Sequence, residues 1–399
     1  MLAVLCGAAT SQDYPSEVVN DQVQVGDVFS QGTLNIVTVS EGVTASNTAT
    51  GNAVQAYADR SNMQIRSNQT VVGAVVAQTV VNVSGSMGAE SSISSTAVGN
   101  TSSVGATQAT VTGVLSQIST YSPEITARTQ IEGHTAQAGS FSSASTAVAN
   151  NQDIGLTNGS AGIRVNQTNA APVLADGGAI MGYVSGTASV AGVAVGNNTS
   201  AVGETSSAQR LAITQRSEGP LIQASKFTAY GTAQTAITST TATANSATAF
   251  NQGPLLDVTT YQTNQSYVRS QAEGTAYEFG AAGVTAYGAG NSAMAGNSGV
   301  EVVLDNTQFN SGGGVDVIAT FEGNTGYDAY AQATAVGNDV TGYACSDCTG
   351  SMSIKNSQTN TADVGARSDV SVGNSGRAVT GVATATGNNA SFYVTRPGS

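Results

Sequence analysis

The chain has no tryptophan, a single histidine (His134) and only two lysines (Lys226, Lys355). Charged residues make up 9% of it, against about 25% in an ordinary globular protein. Six prolines in 399 residues exclude polyproline, and the 47 glycines follow no Gly-X-Y period, so collagen is excluded too. No apolar run approaches the ~18 residues that a membrane-spanning helix needs. Ordinary disorder does not fit either, because β-branched residues are plentiful and alternate with Ser, Thr, Asn and Gln. What is present is an Ala/Thr/Ser/Val/Gly/Asn-rich chain, poor in helix signals and suited to stacked β-structure.

Cations are scarce, 12 against 25 acidic residues, for a net charge of −13. Nucleic acid is not an expected partner, since phosphate binding needs a clustered basic surface. The acidic excess is spread thinly and serves solubility. The first residues, MLAVLCGAATSQ, place Gly7 and Ala9 in cleavage-site spacing after a short apolar stretch, which makes residues 1–21 a signal-like or N-terminal segment and points to export. Leu5 stands where a lipoprotein site at Cys6 requires a small residue. Cys345 and Cys348 form a C-x-x-C without two further zinc ligands nearby, and without the βαβ setting of a redox motif. A short structural disulfide is the expectation for an exported chain.

An internal repeat organises residues 22–399 as one β-repeat domain. A Gly-Asn or Ala-Asn pair recurs at Asn52, Asn100, Asn150, Asn197, Asn245, Asn291, Asn338 and Asn388. A glutamine in a polar setting recurs at Gln22, Gln69, Gln117, Gln167, Gln215, Gln262, Gln308 and Gln358, close to where each unit begins. Both markers cover 336 residues in seven intervals, or 48 per interval. Apolar residues stand six and four places before most of the glutamines, as in Met63 and Ile65, the pattern of a strand with one buried face. Ala recurs three places before nearly every Asn, as each unit must if it packs on a copy of itself. The interval from Asn338 to Gln358 is longer than the others and contains the C-x-x-C, so the disulfide loop should bulge from the stack.

Three architectures accommodate such units: a β-solenoid, an eight-bladed propeller, and a cross-β polymer. Propeller blades pack through large aromatic and aliphatic residues, whereas the candidate interior here is Ala, Val, Thr and Gly. The expected fold is all-β, a repetitive parallel β-helix-like solenoid of about eight 48-residue units, with Asn and Gln in ladders along its axis. Two coils of roughly 24 residues per unit would stack to ~70 Å, with the asparagines in register on every second coil.

No catalytic constellation emerges. His134 lies in IEGHTAQAG, read as an exposed turn, and no G-x-S-x-G elbow accompanies it. Neither Gly312-Gly313-Gly314 nor Gly280-Ala281-Ala282-Gly283 leads into a Lys or a helix signal, so neither is a phosphate cradle. Asp316, Glu322, Asp328, Asp339 and Asp347 form no obvious acid pair, and no Asp recurs at every turn as in calcium-binding repeats. The chain is therefore read as a non-enzyme without cofactor or metal. Rows of Thr, Asn, Gln and Tyr (Tyr267, Tyr277, Tyr287) suit a hydroxyl-rich polysaccharide, and a polysaccharide lyase or hydrolase on a solenoid is the alternative.

The exported start, the low-charge texture and the recurring TAVGN and NQT strings resemble the holdfast attachment proteins of stalked bacteria, in particular the holdfast anchor protein D family. The resemblance covers most of the chain and carries no functional residues with it. It implies an exported, outer-membrane-associated surface protein that helps to fix an adhesive polysaccharide, the holdfast, to the cell envelope. Its implied partners are that polysaccharide and sibling attachment proteins, one of them an outer-membrane secretion lipoprotein; self-assembly is left open.

Overall fold

The computed structural model describes residues 16–121, 124–345 and 350–395. These residues form a parallel β-solenoid of eight rungs with no helix among them. Each rung opens with a short first leg, as in Met63–Val71 or Leu255–Asn264, and the eight first legs pair in order into one sheet. Second and third legs form the other sheet. In the first three rungs they are separate strands, such as Val75–Ser86 and Glu90–Thr107. From the fourth rung onward they merge into one bent strand of 31 or 32 residues, such as Val173–Glu204.

The unit of 48 residues is a single coil, not two. Ser16 pairs with Met63 and Asn100 with Asn150, so one full circuit separates neighbours in the ladder. Seven intervals at ~4.8 Å give about 34 Å, half the length that two coils would require. The reason is visible in the alternation of buried positions. Along the third leg Ser91, Ile93, Ser95, Ala97 and Gly99 face inward, and then Asn100, Ser102, Val104 and Ala106 do. Two adjacent buried residues, Gly99 and Asn100, shift the inward face by one position, and the strand passes from one core to another without a break. A rung is therefore wide enough to enclose two cores.

The first core lies between the second leg and the front of the third, with Val75, Val81, Ile125, Ile131, Val173 and Ile222 fully buried. The second lies between the first leg and the rear of the third, built on Ile65, Leu115, Leu211, Leu256 and Leu304. Opposing leg faces are close, and much of what fills them is Ala, such as Ala97, Ala147 and Ala194. Space at the corner is tighter still. A Cβ on Gly99 would lie 2.5 Å from the carbonyl oxygen of Ala149 and 2.9 Å from Ile125 Cδ1, which limits the position to Gly, or to Ala where the neighbour yields.

The expected Cys345–Cys348 disulfide lies outside the described residues, because Cys348 is not among them. Cys345 ends the third leg of the seventh rung. Interior columns should dominate stability. Ile222→Ala, in a fully buried column, should cost about 2–5 kcal/mol in urea unfolding, whereas Val19→Ala, 59% exposed on the first rung, should stay within about 0.5 kcal/mol.

Candidate functional site

Between the two cores stand the asparagine and glutamine columns. Register places all eight asparagines, Asn52 to Asn388, directly above one another on every coil. The eight glutamines, Gln22 to Gln358, form a second column in the sheet of first legs. Each interior amide makes two kinds of bond. Asn100 Nδ2 donates to Asn150 Oδ1 at 2.8 Å and across the waist to the Ile118 carbonyl at 3.0 Å. Gln117 Nε2 donates to Gln69 Oε1 at 3.0 Å and across the waist to the Asn151 carbonyl at 2.8 Å. The pattern is reciprocal, since each Asn reaches the carbonyl one residue past a Gln and each Gln reaches the carbonyl one residue past an Asn. It recurs, for instance, at Asn197 with the Arg216 carbonyl and Gln215 with the Ser246 carbonyl.

The two columns run in opposite senses. Asparagine donors point to the following rung, from Asn52 toward Asn388, and glutamine donors to the preceding rung, from Gln358 toward Gln22. Both N–H groups and the oxygen of an interior amide are thereby satisfied without water, as burial demands. The opposed dipole rows also offset one another.

Among the described residues the first core buries one cation. Lys226 is 1% exposed, and its Nζ donates to Thr129 Oγ1 at 3.0 Å and to the Asp176 carbonyl at 2.8 Å. Room for the stem comes from Gly192, which presents no Cβ where one would lie 3.1 Å from Lys226 Cε. Burial lowers the ammonium to a pKa of about 7, the nearby Asp176 charge only partly countering it. Its alternation with Ala224 and Thr228 puts Lys226 on the inward face, and the sequence carries no further signal of a site there.

On the outside, the bend between second and third legs carries a groove of about 440 Å³ crossing rungs four to eight. Its flanks are Tyr183 and Tyr327, 45% and 61% exposed. Its floor is Phe279, which meets Phe321 edge-on at 5.1 Å between ring centroids. Gln234, Glu278 and Asn374 supply polar groups along it. The groove forms where pairing slips, between Val184 and Thr187 on one rung and between Gly326 and Asp328 on another. Tyr327 stays open because Gly376 faces it, where a Cβ would come within 3.0 Å of the ring.

The tyrosines read as a row do not form one. Tyr277 is 65% exposed, but Tyr267 is half-buried and donates to Asp316 Oδ2 at 3.0 Å, while Tyr287 is half-buried with its hydroxyl pushed up to about 12 by burial and by Asp339. All three stand at outward positions of one bent strand, Tyr267–Asn297, and the bend rather than the spacing decides what each meets. His134 is exposed and lies 3.5 Å from Glu132. Asp328 pairs with Arg377 at 3.1 Å, and Asp339 accepts from Asn389 at 2.7 Å. Asp347 lies outside the described residues. Gly312-Gly313-Gly314 forms the turn before Val315, with positive φ at Gly312 and Gly314. Among the described residues no group of three or more His, Cys, Asp or Glu could hold a metal ion.

Two measurements check these assignments. Asn197→Ala leaves the Asn150 donor and the Asn245 acceptor unpaired in a buried column, and should lower stability by about 2–4 kcal/mol in denaturant unfolding, clearly more than Asn35→Ala on an exposed face. For Lys226, the unfolded chain keeps its proton up to about 10.5 while the folded chain releases it near 7. Unfolding therefore takes up a proton in that window, and stability rises with pH across it. The melting temperature should climb from pH 6.5 to 9, and Lys226→Met should flatten that climb.

A family model for Holdfast attachment protein D matches residues 37–314, most of the chain. Holdfast attachment protein D of Caulobacter vibrioides is 46% identical over 69 residues, which are 17% of this chain and 23% of that protein. The match thus spans about a quarter of the length of that relative. No solved structure matches the chain. With a β-solenoid of eight rungs in hand and the family match running from within the first rung to the first leg of the seventh, the chain belongs to the Holdfast attachment protein D family.

Proposed function

We propose that the protein is a non-catalytic scaffold at the cell surface, exported and associated with the outer membrane, that helps to fix an adhesive holdfast polysaccharide to the cell envelope. Family membership supports the attachment role. The groove over rungs four to eight is the observation that carries polysaccharide binding. Two exposed tyrosines, a phenylalanine floor and flanking amides match the alternating apolar faces and hydroxyl edges of sugar rings. Crossing five rungs, it suits a linear chain rather than a single sugar. Glu278 in the groove and the net charge of −13 favour a neutral or amino-sugar polymer over a polyanion. Sibling attachment proteins, including an outer-membrane secretion lipoprotein, complete the proposed assembly.

Tyr183→Ala combined with Tyr327→Ala should weaken co-sedimentation with isolated holdfast polysaccharide at least tenfold while the circular dichroism and melting temperature stay unchanged. Cells carrying only this variant should shed their holdfasts under flow. Equal binding by the double variant would refute the groove assignment. Release of reducing ends from the polysaccharide by the wild-type chain would refute the non-catalytic reading.

A further inference from the structure

We infer that the two ends of the solenoid are complementary docking faces for a second copy of this chain, stacking head to tail. Interior columns are sealed on both sides, but among the described residues nothing seals the outer sides of the end rungs. Val18, Val28, Leu34 and Ile36 on the first rung, and Ile354, Val364, Val370 and Val372 on the last, are inward-facing and only partly buried. In the same columns Val75, Ile125, Val173, Ile222 and Val268 are fully buried. Neither end rung contains a proline between residues 16 and 59 or between 351 and 395, a residue that commonly blunts an open sheet edge.

The faces fit in register. Ile354 stands 336 residues after Val18, and the same separation relates Gln358 to Gln22, Val364 to Val28, Val370 to Leu34 and Asn388 to Asn52. All three legs therefore repeat from first rung to last with one offset. A last rung set beneath the first rung of another copy places each inward residue under its counterpart without a bulge.

Hydrogen-bond polarity fits as well. At the C-terminal face Asn388 accepts from Asn338, and its own Nδ2 has no acceptor among the described residues. At the N-terminal face Asn52 donates to Asn100 and to the Thr70 carbonyl, and its Oδ1 has no donor among the described residues. Gln22 retains one N–H beyond its bond to the Ala53 carbonyl, and Gln358 Oε1 receives only a 3.4 Å contact from Asn356. Head-to-tail stacking joins donor to acceptor in both columns, whereas a two-fold pairing of like ends reverses strand direction and loses both registers.

Charge selects the same partner. The first rung carries Glu17, Asp21, Asp27, Glu41 and Asp59 against Arg60, which pairs with Asp59. Residues 351–395 carry Lys355, Arg367 and Arg377 against Asp363 and Asp369. Those three cations pair with Asp305, Asp369 and Asp328 of the same chain, so an acidic face meets a near-neutral one, and two N-terminal faces repel. Such a heterologous contact does not close on itself and yields a linear filament with a repeat of about 38 Å per copy. This inference rests on the end rungs alone and stands apart from the groove.

The test uses the full chain and two face-blocked variants, each confirmed as folded by circular dichroism and a cooperative melt. Val18→Lys with Leu34→Lys blocks the N-terminal face; Ile354→Lys with Val370→Lys blocks the C-terminal face. In analytical ultracentrifugation the wild-type chain should grow with concentration into a series of linear oligomers, each variant alone should be a monomer, and an equimolar mixture should form a one-to-one dimer through the two intact faces. A wild-type chain that stays monomeric, a variant that dimerises by itself, or a mixture that stays monomeric would each overturn the proposal. A monomeric wild type that polymerises only after removal of residues 1–15 would show that the chain covers its own face, and would overturn it too.

Discussion

The reciprocal amide clasp at the waist is the constraint on which the rest of the rung depends. A parallel coil of 48 residues encloses too wide a space to be filled by the small side chains this sequence supplies. Drawing the first and third legs together at Asn100 and Gln117 divides that space into two narrow cores, each fillable by Ala, Val, Ile and Leu. Because the bonds across the waist are to main-chain carbonyls, they are indifferent to which residues follow the Asn and the Gln. Ile118, Thr168, Arg216 and Phe309 all serve as acceptors. The outward side chains at those positions are thereby free to vary without disturbing the fold.

Register follows from the same bonds. A slip of one residue in a parallel strand turns its inward side chains outward. Here a slip would also strand two buried amides per rung, each costing about 1–3 kcal/mol. The outer bend has no such pins, and it is there that pairing shifts, at Val184 and at Gly326, and that the groove opens. Rigidity at the waist and irregularity at the bend belong to one design: the first holds rungs in place, and the second lets successive rungs present Tyr183, Gln234, Glu278 and Tyr327 along a continuous surface.

The solenoid class was legible in the sequence because a rung stacked on its copy must repeat its own residues, and Ala, Asn and Gln do so at a constant period. The number of coils per period was not. A 24-residue coil is the narrow solution for small side chains, and nothing in the spacing reveals that one circuit can be pinched into two cores. The change of inward face at Gly99 and Asn100 is invisible without burial, since Gly and Asn occur at turns as readily as inside. The groove was illegible for another reason. Its residues come from five rungs and stack in register, Tyr183 with Thr232, Glu278, Thr325 and Asn374, but the residue type changes at every rung, so no recurring residue marks the column, and the tyrosines that do stand evenly spaced along one rung, at 267, 277 and 287, point to different surroundings. Lys226 is inward by its alternation with Ala224 and Thr228, but the room that its stem needs comes from Gly192 on the neighbouring strand, which the sequence does not place.

Distance along the stack tests the central claim, that one 48-residue circuit makes one rung and the amide columns hold it in register. Spin labels can be placed at exposed positions 19 and 355, which stand at equivalent places on the first and last rungs, in a chain whose Cys6, Cys345 and Cys348 are replaced by serine and which is diluted with unlabelled protein. Double electron–electron resonance should give one narrow distance near 34 Å, seven rungs at ~4.8 Å, broadened only by the label arms. A distance near 67 Å would mean two coils per unit, and a broad distribution would mean that the columns do not fix the register; either would contradict the account.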